Sequence, residues 1–218
     1  MTSDADFLTA TRTSYDTIAT DYAAAHPDGL TDRPLERGLL GAFAEQVRAN
    51  GPAPVADLGS GPGRVAARLH DLGVPVFGVD ISPRMVALAR EAHPHLRFHV
   101  GSLTELDLPD GTLGGVLALY SLIHIPTGRL TAVFSEFRRV LVPGGQVLLA
   151  FQTQETEDRL RLTERFGHEI LLDYYWRTPE TVAAHLTEAG LRLQARVVRE
   201  RVGEEKWARA FLLAYRPG

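Results

Sequence analysis

The stretch that most limits what this chain can fold into runs Val55-Ala56-Asp57-Leu58-Gly59-Ser60-Gly61-Pro62-Gly63-Arg64-Val65. A short apolar strand leads into a glycine-rich turn, and the run from Val65 to Leu69 reads as the start of a helix. Glycine at 59, 61 and 63 permits positive φ and carries no Cβ, so a ligand can lie directly against the backbone. The helix that follows offers unpaired N–H groups at its N-terminus. A glycine loop alone is unspecific, because dinucleotide, phosphate and nucleoside sites all use one. A turn that binds nothing is the weaker reading, since so many glycines cost backbone entropy.

The next apolar run, Val74 to Val79, ends in Asp80. In an open α/β sheet ligands sit at the carboxyl ends of the strands, so Asp80 falls where the glycine turn also points. A carboxylate there can accept from both hydroxyls of a ribose. Ser82-Pro83 supplies an N-cap and a first helical residue for the following helix, which leaves Asp80 free for a ligand. An acid that merely caps the next helix is the competing reading. Ile81 and Met85 would then flank a flat base.

Composition narrows the class. The chain has 218 residues, enough for one domain with a substantial core. A formal net charge of −4 argues against a nucleic-acid partner, which calls for a basic face. There is no cysteine, so no disulfide framework and no cysteine-ligated iron–sulfur cluster with its radical chemistry. No apolar run reaches the roughly 18 residues that span a membrane, and the N-terminus lacks a signal-peptide core. The expectation is a cytoplasmic protein with no membrane partner and no metal.

Several motifs then point the same way. Asp57-Leu58-Gly59-Ser60-Gly61-Pro62-Gly63 resembles the first motif of the class I S-adenosylmethionine (SAM) methyltransferases. Tyr15-Asp16-Thr17-Ile18-Ala19-Thr20-Asp21-Tyr22 is similar to the Y-D-x-x-A-x-x-Y opening of small-molecule members, which forms a lid. Leu108-Pro109-Asp110-Gly111-Thr112 resembles the turn before strand four, with Leu113-Gly114 in place of the usual Phe-Asp. Tyr120-Ser121-Leu122-Ile123-His124 looks like the segment of a bacterial subset, and Leu141-Val142-Pro143-Gly144-Gly145 like the turn before strand five. The resemblance implies SAM as cofactor, S-adenosylhomocysteine as product and a small-molecule acceptor methylated by in-line displacement.

Carried over residue by residue, the resemblance puts the cofactor against Tyr15, Tyr22, Asp57, Gly59, Ser60, Gly61, Gly63, Arg64, Asp80, Ile81 and Met85. It adds Gly101, Ser102, Leu103 and Tyr120, with Ser102 where an aspartate is usual. His124 is placed beside the transferable methyl. Its imidazole serves as a general base, positions the acceptor, or is satisfied by backbone carbonyls in its turn. Two rivals stay open: a protein that binds SAM without transferring methyl, and an NAD-dependent oxidoreductase.

The rest of the chain supports one α/β domain over residues 1–218, a seven-stranded, mostly parallel sheet with an antiparallel last strand. Residues 1–50 read as N-terminal helices forming the lid: Asp6 to Ala25, a turn at His26-Pro27-Asp28-Gly29, then Pro34 to Ala49. Helices are also expected at Arg84–Ala92, Leu130–Val140 and Thr178–Ala189, the last capped by Thr178 and closed by Gly190. Leu191–Val198 and Trp207–Tyr215 read as a closing strand pair. Residues 152–177 form a substrate-side insertion, polar first and then aromatic, where His168, Tyr174, Tyr175 and Trp176 either line a pocket or cover the core.

Overall fold

The structure, a computed structural model, describes residues 4–26, 30 and 33–218. The turn expected at His26–Gly29 lies, beyond His26, outside the described residues. A seven-stranded sheet has the order β3-β2-β1-β4-β5-β9-β8. Its strands are β1 (Val55–Leu58), β2 (Val76–Asp80), β3 (Arg97–Val100), β4 (Leu113–Leu119), β5 (Leu141–Thr153), β8 (Arg192–Arg199) and β9 (Ala208–Tyr215). The first five run parallel, while β9 pairs antiparallel with both β5 and β8.

The central strands alternate between two covered faces, as a period of two requires. On one face Leu117 and Leu148 meet Leu40, Phe43 and Val47 of helix α2 (Pro34–Asn50). On the other, Val116, Ala118, Val147 and Leu149 meet Phe134, Phe137 and Val140 of α5 (Leu130–Val140). Helices α3 (Arg64–Asp71) and α4 (Pro83–Ala92) cover the β2–β3 edge, with Ala66, Val86, Ala89 and Phe98 in one cluster. Leu113-Gly114 proves to be a packing departure. A Cβ on Gly114 would come within 2.5 Å of the Ala53 carbonyl oxygen, and Gly114 N–H donates to the Pro54 carbonyl at 2.9 Å.

The caps read from sequence are present. Ser82 Oγ accepts from Met85 N–H, and Thr178 Oγ1 accepts from Thr181 N–H at the start of α6 (Pro179–Glu188), both at 3.1 Å. Each cap is worth about 1 kcal/mol.

The sequence assigns no secondary structure to the insertion. It is a β-hairpin, β6 (Asp158–Arg165) and β7 (His168–Trp176), forming a second sheet. Phe166 and Gly167 connect the strands with φ of 55° and 78°, the two positive values a tight hairpin turn needs. One face, with Leu162, Ile170, Leu172 and Tyr174, packs on Ile18 of α1 (Asp4–Ala25). On the other face the Asp173 carboxylate accepts from Arg159 at 2.7 Å and Arg161 at 2.9 Å, which holds it down at about 2.

Candidate active site

The strand order reverses between β1 and β4, and a ligand crevice opens at the carboxyl ends of strands at such a point. The glycine turn forms its floor, and its glycines serve three ends. A Cβ on Gly59 would lie 2.3 Å from Ser121 Cβ, so the loop approaches the end of β4 only because that side chain is missing. A Cβ on Gly63 would lie 2.6 Å from Phe98 Cζ, which makes Gly63 a packing position under α3. Gly61, with φ of 51°, has nothing within 4 Å of where a Cβ would stand and borders a cavity of about 710 Å³ of empty space.

Asp80 closes the floor, but it is not free of the backbone as the Ser82 cap suggested. Its Oδ2 accepts from Gly61 N–H at 2.8 Å and its Oδ1 from Ser82 N–H at 2.9 Å. Each carboxylate oxygen has a second lone pair, so acceptor capacity remains for a ligand. Burial pushes Asp80 up to about 6 against these two N–H donors. Beneath it Asp57 is pushed to about 7, by burial first and then by the Asp80 charge, while Ala66 N–H opposes. Asp57 Oδ2 and Ser60 Oγ are buried without a partner.

Around this cavity the structure gathers Gly59, Gly61, Asp80, Ile81 and Met85 from the first two strand ends, and Gly101, Ser102 and Leu103 from the third. Tyr120 and His124 come from the end of β4, and Tyr15 and Tyr22 from α1 above. Ser102 Oγ is turned to its own loop, where it bonds Thr104 Oγ1 at 2.7 Å. Four expected cofactor residues are not on this wall. Gly63 packs under α3 and Asp57 lies beneath Asp80, whereas Ser60 and Arg64 line an adjoining cleft with Tyr22, Gly59, Gly61 and Tyr120, Arg64 also donating to the Ala23 carbonyl at 2.8 Å. Lining residues absent from the sequence reading are Phe7, Leu8, Thr11, Leu119, Ser121 and Ile125. The helical spacing of Leu8, Thr11, Tyr15 and Tyr22 carries a signal for the first of these.

Helix α1 is fastened as a cover. Ser14 Oγ both donates to the Leu171 carbonyl and accepts from Leu171 N–H. Asp16 Oδ1 accepts from Ser82 Oγ at 2.6 Å and Arg84 N–H at 3.1 Å. Tyr15 and Tyr22 meet edge to face, with ring centroids 5.8 Å apart.

His124, 5% exposed, stands in a short 3₁₀ turn after β4. Its Nδ1 is 2.9 Å from the Asp173 carbonyl, which only accepts, so the proton is on Nδ1. Nε2 is then the acceptor, and the Tyr15 hydroxyl donates to it at 2.7 Å. Burial lowers the imidazole to about 4. The buried Arg177 fixes this turn by donating to the carbonyls of Leu122 and Ile125 and to Thr127 Oγ1. Both ring nitrogens are therefore engaged, and the ring is neutral across ordinary pH.

A second cavity, about 1090 Å³ of empty space, adjoins the first through Tyr15, Tyr22 and Tyr120. Tyr174 and Trp176 of the hairpin line it, joined by Trp207, Arg33, Arg165 and Arg209. His168 and Tyr175 do not. His168 Nε2 pairs with Asp21 Oδ2 at 2.9 Å on the surface, and Tyr175 lies beneath the Arg159 and Arg177 guanidinium groups.

Comparison with known proteins follows the same lines. Residues 55–145 match the family model of a methyltransferase domain. A demethylmenaquinone methyltransferase of Chlorobaculum parvum is 32% identical over 102 residues, 46% of this chain and 42% of that protein. The chain thus spans less than half the length of that relative. In fold it is similar to 1,6-didemethyltoxoflavin-N1-methyltransferase of Burkholderia thailandensis, solved with 1,6-didemethyltoxoflavin and S-adenosylhomocysteine. There the TM-score is 0.76 at 19% identity, covering 100% of this chain and 92% of that one. Magnesium protoporphyrin IX methyltransferase of Synechocystis, solved with SAM, gives a TM-score of 0.71 at 18% identity over 99% of this chain and 100% of that one. Over residues 55–145 the chain is thus similar to methyltransferase domains, and its sheet has the fold seen in SAM-dependent methyltransferases of known structure.

Proposed function

We propose that this protein is a single-domain enzyme that transfers a methyl group from SAM to a small-molecule acceptor and releases S-adenosylhomocysteine. One observation carries the reading: bare backbone at Gly61 faces open space beside an acid at the end of β2, under a cover of two tyrosines. The residues fit the cofactor. The remaining lone pairs of Asp80 suit ribose hydroxyls, and Ile81, Met85 and Leu103 offer an apolar slot for a flat base. Glycine C=O groups with no side chain in front of them suit the ammonium of the methionine end. The lack of cysteine suits a reducing compartment, the cytoplasm. Among the described residues no helix is long and apolar enough to cross a membrane.

Bound SAM supplies a methyl group already activated on a sulfonium, so the protein chiefly aligns and excludes water, effects worth up to about 7–11 kcal/mol. The chain's own contribution centres on Tyr15. His124 Nε2 accepts the Tyr15 O–H hydrogen bond, which leaves the phenol oxygen lone pairs to receive an O–H or N–H of the acceptor. An imidazole held near 4 is a poor store for a proton, so His124 acts by positioning Tyr15 rather than as a free base. Incubation with methyl-labelled SAM and a panel of small acceptors tests the function. Acceptor-dependent release of S-adenosylhomocysteine is expected. SAM binding with no turnover on any acceptor would favour a SAM-binding protein instead.

A further inference from the structure

The second cavity has a lining unlike the rest of the molecule. The protein carries a net charge of −4, yet among the described residues Arg33, Arg165, Lys206 and Arg209 line this space and no acid does. Among the described residues, Arg33, Arg165 and Lys206 form no ion pair. The nearby carboxylates are otherwise engaged: Glu205 with Arg199 and Arg209, Glu36 with Arg199, Asp21 with His168, and Asp173 with Arg159 and Arg161. A concave wall with one sign of charge concentrates ligands of the opposite sign.

The remaining walls are flat rings. Trp176 and Trp207 lie with centroids 4.8 Å apart, and Tyr174 stacks on Trp176 at 6.2 Å. Guanidinium groups rest over two further rings: Arg165 over Tyr22 at 5.3 Å, and Arg33 and Arg209 each 5.9 Å from the Tyr120 centroid, Arg209 also pairing with Glu205 at 3.5 Å. Tyr120 holds φ at 58°, a strained value for a tyrosine, at the junction of both cavities. Its hydroxyl and Gln152 Oε1 are buried without partners. Unsatisfied polar groups of this kind call for a ligand's polar edge.

Resting on the reading of the first cavity as the SAM site, we propose that the methyl acceptor is a planar aromatic molecule carrying an anionic group. Its ring lies among Tyr120, Tyr174, Trp176 and Trp207, and its anion meets Arg33, Arg165 and Arg209. The shared tyrosines put its opposite edge beside the cofactor cavity. A neutral or cationic molecule leaves Arg33 and Arg165 without a compensating charge.

Calorimetry on protein saturated with S-adenosylhomocysteine tests this with benzoate, naphthoate and anthracene carboxylate, each against its methyl ester, and with naphthylmethylamine. At least one anion is expected to bind about tenfold or more tighter than its ester and the amine, with affinity falling as salt rises. Arg33→Gln and Arg165→Gln should each weaken that anion about tenfold and leave its ester and S-adenosylhomocysteine unchanged, while Arg165→Lys should restore part of the loss. Esters or the amine binding as tightly as every anion, no anion binding at all, or glutamine variants that weaken ester and anion alike would overturn the inference. Failure of S-adenosylhomocysteine itself to bind would instead overturn the proposed function on which it rests.

Discussion

The two adjoining cavities share three tyrosines and are built by opposite means. The first is made of strand ends: a glycine loop, an acid and the short turns after β3 and β4, all at positions the chain order dictates. The second is made of side chains brought from α1, the hairpin, β5 and the segment before β9. Their charge differs as well. Two buried carboxylates stand under the first, each pushed upward by burial, whereas guanidinium groups line the second. Backbone geometry at the end of a parallel sheet makes a site for one fixed partner, and added elements make a site that varies.

The largest expected effect concerns the first cavity. Gly61→Asn keeps a residue type that tolerates the left-handed conformation, yet puts a side chain into the open space. SAM affinity should fall more than about a hundredfold, close to 2.7 kcal/mol, with little change in melting temperature. Full affinity in the variant would show that the cofactor does not lie against Gly61.

Asp80→Ala comes next. Loss of a charge-assisted acceptor is worth roughly 1.5–3 kcal/mol, so the SAM dissociation constant should rise about ten- to a hundredfold. Acceptor affinity, measured with S-adenosylhomocysteine at saturation, should hold. A variant that loses acceptor and cofactor affinity equally would erase the distinction between the cavities.

His124 joins the two. His124→Ala should lower kcat about tenfold, with acceptor KM rising and SAM affinity nearly intact, and His124→Gln should recover part of the loss because an amide both accepts from Tyr15 and donates to Asp173. Since the imidazole is held near 4, it stays neutral from about pH 5 to pH 8, and its titration adds no bend to kcat in that range. A kcat that falls with an apparent pKa near 6.5 and flattens in His124→Ala would restore the role of free base.

Much of this was legible in the sequence, for a physical reason. Caps, glycine turns and strand periodicity are local, so Ser82, Thr178, Gly59, Gly61 and Asp80 stand where short-range rules put them. The hairpin was not legible. Its turn is Phe166-Gly167 rather than an asparagine- or aspartate-glycine pair, and the polar character of residues 152–164 hides the short leucine–arginine alternation of β6. Arg33, Arg165, Trp207 and Arg209 are far apart along the chain, and only tertiary structure makes them one wall. His168 and Tyr175 show the converse: residues of suitable chemistry, near the site in sequence, that face another way.

The smallest effect is on stability. Asp57 has a folded pKa of about 7 against about 3.9 unfolded, so the folded state holds more protons between those values. Stability from this group is greatest below about pH 4 and declines as pH rises to about 7. Asp57→Asn carries no charge to bury, so its melting temperature relative to wild type should improve across that window by about 2–4 °C per kcal/mol. A difference that stays constant with pH would mean that Asp57 is ionised and satisfied in the fold.

The central claim is that the first cavity takes SAM, and calorimetric titration of the wild-type protein with S-adenosylhomocysteine and with NAD tests it most directly. The account predicts stoichiometric binding of S-adenosylhomocysteine, weakened in Gly61→Asn and Asp80→Ala, and no heat with NAD. Binding of NAD without S-adenosylhomocysteine, or S-adenosylhomocysteine affinity unchanged in both variants, would contradict it.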